Sequence, residues 1–209
     1  MKDLLFYVAD ADAQAFLNAL LKKPLALGIR QITFDIMRHP QRDSGMVQTG
    51  SELARMNKGR YLKAILAWDH HGSGRDHKQS PEQVRDEIQN KLDSYTWSEN
   101  SSVTIFVPEL EQWLWHCENA LLNYCGISVG QLETWLAECA GKLGKSVQTL
   151  KSEQPKELFE YLMRERLRRT ISPRDFSEIG KRAGVNGLMN CDSFRSIVDV
   201  LRAWFPQGM

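Results

Sequence analysis

No lysine or arginine occurs between Leu92 and Gly141. The charged side chains of that stretch are acids: Asp93, Glu99, Glu109, Glu111, Glu118, Glu133 and Glu138. From Lys142 to Arg182 the balance reverses, with 11 basic and 6 acidic residues. Two readings stay open. One is an acidic metal site beside a basic nucleic-acid surface; the other is ordinary solvated helix faces. Net charge does not decide between them, because 27 Lys+Arg stand against 26 Asp+Glu.

Other absences narrow the chemistry. No Gly-x-Gly-x-x-Gly, Walker lysine loop, Gly-x-Ser-x-Gly elbow or His-Glu-x-x-His is present. Dinucleotide-binding, nucleotide-triphosphatase, hydrolase-triad and zincin readings therefore lose support. The four cysteines form no C-x-x-C pair, and with the five histidines they make no zinc-finger spacing. Reduced thiols in a cytoplasmic protein are expected, with the cysteines packed as small hydrophobes. No apolar stretch is long enough to span a bilayer and no signal peptide opens the chain, so no membrane partner is expected.

What the chain does have is a set of short apolar runs that end on acids. Leu4–Ala9 leads into Asp10 and Asp12. Leu62–Trp68 leads into Asp69 and then His70-His71-Gly72-Ser73-Gly74. Val103–Val107 leads into Pro108-Glu109-Leu110-Glu111. Continuous apolar runs separated by helical patterns read as buried strands of a parallel sheet. Ligands of such sheets bind beyond the carboxyl ends of the strands. Several carboxylates are thus expected on one edge, as a hard cation such as Mg²⁺ requires.

The first half alternates strand and helix. Strands are expected near Leu4–Ala9, Ile29–Met37, Leu62–Trp68 and Val103–Val107. Helices are expected over Ala11–Lys23, near Ser51–Asn57, and from Ser80, where Pro81 and Gln83 supply a first-turn proline and a capping box. Residues 39–45 read as a loop. Beyond Glu109 the pattern is helical, with starts at Ser128, Pro155 and Ser172 and a last helix carrying Phe194, Ile197, Val198, Leu201, Trp204 and Phe205 on one face. Gly141–Gln154 reads as a mobile connection. The expected fold is α/β: a four-stranded, mostly parallel Rossmann-like or Toprim-like sheet over residues 1–110, followed by a helical region over 111–209.

Asp69 is the leading candidate, because it ends a strand before a Gly-Ser-Gly turn; it can equally cap that turn. His70 and His71 can ligate, move protons or bind phosphate. Glu109 and Glu111, two apart in extended backbone, would face opposite sides, which favours Glu109 as the partner of Asp69. Asp10 is a ligand candidate or an N-cap. Arg38 and Arg42 can hold phosphate, although Arg42 can also pair with Asp43. Arg164 and Arg168 share a helix face that either tracks phosphates or forms salt bridges with interleaved acids. The tryptophans are expected in the core, with Trp97 the one candidate for base stacking.

Four segments together carry a resemblance: Arg38–Gly45, Asp69–Gly74, Pro108-Glu109-Leu110-Glu111-Gln112-Trp113, and Leu201-Arg202-Ala203-Trp204-Phe205-Pro206. The chain resembles, over nearly its whole length, a family of small prokaryotic proteins associated with the methylation-associated anti-phage defence system. Its first half is more loosely similar to Toprim domains, which use a Glu after strand one and an Asp-x-Asp after a later strand to bind Mg²⁺ for nucleic-acid cleavage. Asp69 matches the first Asp of that pair. After strand one, Ala9-Asp10 stands in place of Glu followed by Gly, with Asp10 able to substitute as a ligand, and His71 stands at the second Asp.

The residue reading and the resemblance together lead to the expectation of a Mg²⁺- or Mn²⁺-dependent, nucleic-acid-acting and nucleolytic defence component, the defence setting coming from the resemblance. Asp10, Asp69 and Glu109 would be its ligands, and Asp69, Glu109 and His71 its catalytic groups. Arg38, Arg42, Arg164 and Arg168 would bind phosphate. The two departures from the Toprim pattern give the alternative of a non-enzymatic subunit with a decayed site, bound to protein partners through its helical half. A metal-dependent small-molecule phosphoesterase is a third reading.

Overall fold

The computed structural model describes residues 1–208. Four strands, β1 (Lys2–Val8), β2 (Phe34–Arg38), β3 (Tyr61–Asp69) and β4 (Ser101–Phe106), form one sheet in the order β2-β1-β3-β4. All three pairings are parallel, with Val8 level with Arg38 on one side and with Ala67 on the other. The fold is α/β with a helical C-terminal half.

The helices between strands are α1 (Ala11–Leu21), the short α2 (Pro24–Leu27), α3 (Arg42–Met56) and α4 (Pro81–Leu92). After β4 come α5 (Gln112–His116), α6 (Glu118–Cys125), α7 (Val129–Leu143), α8 (Val147–Glu153) and α9 (Pro155–Glu160). The last continues as a π-helical segment over Tyr161–Arg166. Then follow α10 (Pro173–Arg182), α11 (Val185–Leu188) and α12 (Asp192–Trp204).

Alternation along the strands builds two cores. Leu4, Phe6 and Val8 of β1 face a large core with α1 and the C-terminal helices. Leu5 and Tyr7 face a smaller core on the other side, with Met46 and Val47 of α3 and Val84, Ile88 and Leu92 of α4. From β1 the chain steps one way to β2 under α1, then back across to β3 and on to β4 under α3 and α4. Helices on opposite faces for opposite steps are what a single crossover handedness requires. The large core runs on across residue 110, where Trp113 meets Phe16, Phe106 and Phe194 edge-on at 5.0–5.8 Å between ring centres. Helix α1 also packs closely on α10. A Cβ added at Gly180 would lie 3.1 Å from the Ala19 Cβ and 3.2 Å from the Phe16 carbonyl, so glycine sets the approach of the two helices.

The capping boxes at Ser80–Gln83 and Ser128–Gln131 form as the sequence indicates. Several boundaries differ. Strand β2 begins at Phe34, because Ile29 instead bridges Pro206. The expected loop after β2 turns almost at once into α3, which is fifteen residues long. Gly45 makes this possible: a Cβ there would lie 2.2 Å from the His39 ring, which tucks beneath the helix start. Gly141–Gln154 is largely helical, with α7 running to Leu143 and Ser146 capping α8. The short polar side chains that suggested a loop are surface positions and a cap. The helix that opens at Pro155 ends at Arg166. Trp97 is fully buried and is a core residue. No described helix is long and apolar enough to cross a membrane.

Candidate functional site

The direction of the connections reverses between β1 and β3, and open parallel sheets bind ligands at such switch points, beyond the carboxyl ends of the strands. Asp10 follows β1 and Asp69 ends β3. Beside them lies a cavity of about 330 Å³. Its acids are Asp10, Asp12, Asp69, Glu111 and Glu160, and its bases are Arg42, Lys156 and Arg164. Sheet and helical half both contribute: Lys156 and Glu160 come from α9, and Arg164 from its π-helical continuation.

Backbone amides hold the acids in place. Asp10 Oδ1 accepts the amides of Asp12 (3.1 Å) and Ala13 (2.9 Å), so it caps α1 while lining the cavity. Asp43 Oδ1 accepts the Asp69 amide at 3.0 Å. Asp69 Oδ1 accepts the Leu110 amide at 2.9 Å, which ties the end of β3 to the turn after β4. Three carboxylates thus use one oxygen each on the main chain and keep a second.

Glu109 and Glu111 do not follow the extended alternation. The chain turns at residues 109–114 through bonds from Gln112 to Glu109 and from Leu114 to Glu111, and Glu111 has helical backbone angles. Glu111 lines the cavity. Glu109 turns instead to His71, whose Nδ1 lies 3.2 Å from Glu109 Oε1. The alternation argument selected Glu109 because it presumed an extended chain.

Burial and mutual repulsion govern the electrostatics. Burial pushes the Glu111 carboxyl up to about 7; Lys156 opposes this, while Glu109 and Asp10 add to it. Burial, with Asp10 beside it, raises Asp12 to about 6. Asp69 lies well above the ordinary carboxylate range, first through burial and then through Glu111, Asp43 and Asp10. Burial also raises Asp43 and Glu109. Burial disfavours the Lys156 charge, but Glu111, Glu109 and Asp69 together outweigh it and hold that pKa above the usual lysine value. Clustered acids of this kind are short of positive charge.

The other candidates occupy distinct places. Arg42, in left-handed backbone at φ 53°, is exposed on the cavity rim. Arg38 faces a separate shallow pocket with Gln14, Asn18 and Asp35. Arg164 lies on the rim and pairs with Glu160 at 3.4 Å. Arg168 is exposed, beyond the helix end and outside the cavity lining. His71 is exposed, whereas His70 is buried with no hydrogen-bond partner for its Nδ1 among the described residues. His39 is structural: its Nδ1 accepts the Gln41 amide, and its Nε2 faces the Thr49 hydroxyl at 2.9 Å. Gly72 and Gly74 supply positive φ to the turn after Asp69, with open space where a Cβ would be.

Sequence reasoning gave no site role to Asp12, Asp43, Glu111 or Lys156. Glu111 was visible as the other half of the acidic pair. Lys156, from the distant helical half, carried no local signal.

The donor set is hard oxygen, which suits Mg²⁺ or Mn²⁺. Glu111 fits such a group best: it is 8% exposed and, among the described residues, no other residue donates to its carboxylate. The described acids do not close into a cage of three. Mg²⁺ commonly keeps several waters and takes only one or two carboxylates, so an open arrangement accords with it. Scans against family models, curated proteins and solved structures find no match to this chain.

Proposed function

We propose that this protein is a divalent-cation-dependent enzyme acting on nucleic-acid phosphodiesters, a nucleolytic component of prokaryotic anti-phage defence working in the cytoplasm. The carrying observation is that Asp10, Asp69 and Glu111, from the ends of β1, β3 and β4, line one cavity rimmed by Arg42, Lys156 and Arg164. The defence setting and the Toprim likeness rest on the sequence resemblance alone.

In this reading Asp69 and Glu111 hold Mg²⁺ or Mn²⁺, with Asp10 as a third or water-mediated ligand. When bound, the cation activates water and offsets charge on the phosphate. Arg42 and Arg164 bind phosphate oxygens, and the Glu109–His71 pair beside the cavity relays protons. Purified protein incubated with single- and double-stranded DNA and RNA tests this, with Mg²⁺, Mn²⁺ or EDTA and beside Asp69→Asn. Cleavage that needs the cation and disappears in the variant supports the reading. Cleavage that survives in EDTA or in Asp69→Asn sinks it.

One observation favours a second reading, a non-enzymatic subunit with a decayed site. Asp10, Asp43 and Asp69 each already serve a backbone amide, as structural carboxylates do. A protein that binds no divalent cation yet captures a defence partner through its helical half would have that role.

A further inference from the structure

Lys156 is the cation that the cavity's acids share. It acts on Glu111, Glu109, Asp69, Asp12 and Asp43, more of these groups than any other base reaches. Yet among the described residues no carboxylate oxygen lies within ion-pair distance of its ammonium. Its neighbours in sequence are paired: Lys142 with Glu165 at 3.0 Å, Lys145 with Glu153 at 3.2 Å, Lys151 with Glu118 and Arg164 with Glu160 at 3.4 Å. Lys156 is exposed at the cavity mouth, second residue of α9, on a long flexible stem.

We infer that Lys156 is a phosphate contact of this cavity beside Arg42 and Arg164, facing the acids in the free protein and turning to a phosphate oxygen when a divalent cation takes its place. The inference rests on the cation-site reading above and adds the ligand: a phosphate group that binds jointly with the metal. A divalent ion and an ammonium compete for the same acids. The phosphate removes that competition by giving the ammonium an anion of its own. Cation and phosphate then favour one another's binding, reciprocally, as linkage requires.

The consequence has opposite signs in two measurements. Calorimetry with Mg²⁺ alone should show Lys156→Gln binding it about fivefold tighter than wild type, because one opposing charge is gone. Inorganic phosphate titrated in the presence of Mg²⁺ should bind wild type more tightly than without Mg²⁺, and this gain should be reduced in Lys156→Gln. Lys156→Arg keeps the charge and should retain the gain. Lys156→Arg keeps the charge that the acids share, should melt as wild type does and serves as the folding control, while Lys156→Gln should melt somewhat lower at neutral pH but still in one cooperative transition. Weaker or unchanged Mg²⁺ binding in Lys156→Gln, or an undiminished phosphate gain, overturns the inference while leaving the cation site standing. Absence of Mg²⁺ binding by wild type, with and without phosphate, defeats the cation-site reading itself and this inference with it.

Discussion

Asp69 sits between two backbone bonds: its amide donates to Asp43 Oδ1 at 3.0 Å, and its own Oδ1 accepts the Leu110 amide at 2.9 Å. The start of α3, the end of β3 and the turn after β4 are thereby fastened at one point. The acids cannot relax away from one another without breaking these bonds. The fold therefore keeps a repulsive group of carboxylates in place, and that has measurable consequences.

The first is an inverted acid response. Glu111 moves from about 4.5 to about 7 and Asp12 from about 3.8 to about 6, with Asp69 also raised. Between pH 4 and 7 the folded protein binds more protons at these groups than the unfolded chain does. Their contribution to stability is then fully favourable near pH 4 and declines as pH rises through 7. Urea denaturation without divalent ions should show this site favouring pH 5 over pH 7.5, and added Mg²⁺ should flatten the slope. A stability that climbs steadily from pH 5 to 7.5 and ignores Mg²⁺ would contradict it.

Glu111→Gln isolates one of these shifts. Replacing the buried charge by an amide of the same shape should stabilise the cation-free protein at pH 8. The ceiling is about 3 kcal/mol, since a pKa unit is worth about 1.4 kcal/mol. For a chain of this size, each kcal/mol raises Tm by about 2–4 °C. The same variant should lose at least about tenfold in Mg²⁺ affinity, the reverse of its effect on stability. A melting scan and a Mg²⁺ titration on one preparation read both; a lower Tm with unchanged affinity would show Glu111 to be a structural group.

Arg164 and Arg168 looked equivalent in sequence, four apart on one helix, but the helix ends between them. Arg164 rims the cavity, whereas Arg168 lies beyond Arg166 in left-handed backbone at φ 55°. Arg164→Ala should lower the salt slope of oligonucleotide binding by about 0.7–0.9, the share of one phosphate contact. Arg168→Ala should leave that slope unchanged. Fluorescence anisotropy across a salt series decides; equal effects would place the phosphate path outside the cavity.

What was legible in the sequence follows from the range of each signal. The strands β1, β3 and β4 show as unbroken apolar runs because both sheet faces are covered. Ser80 and Ser128 reveal their helices because a capping box lies within four residues. Asp10 and Asp69 were visible from strand-end position alone. Helix α3 was hidden because its first turn, Arg42-Asp43-Ser44-Gly45, is made of turn-forming residues; its start depends on the His39 ring lying against Gly45. The choice of Glu111 over Glu109 depended on a turn fixed by Asp69, some forty residues away. Lys156 reaches the site only through the packing of the helical half on the sheet, and no local pattern records that.

That packing centres on Trp113. Its ring touches Phe16 of α1, Phe106 of β4 and Phe194 of α12, and its indole N–H donates to Ser193 Oγ at 2.8 Å. The ring is fully buried, so removing it leaves a cavity as well as the lost transfer energy. Trp113→Ala should cost about 3–5 kcal/mol, as large aromatic truncations do. Because the ring belongs to sheet and helices alike, the loss should appear as one cooperative transition at lower denaturant rather than as two separated steps. Residues 1–110 expressed alone would expose Phe16 and Phe106 and should not fold to a native-like state. Two resolved transitions in the variant, or a cooperatively folded 1–110 fragment, would show that the sheet stands without its helical half, and a cavity built from both would then have to be held together by its ligand.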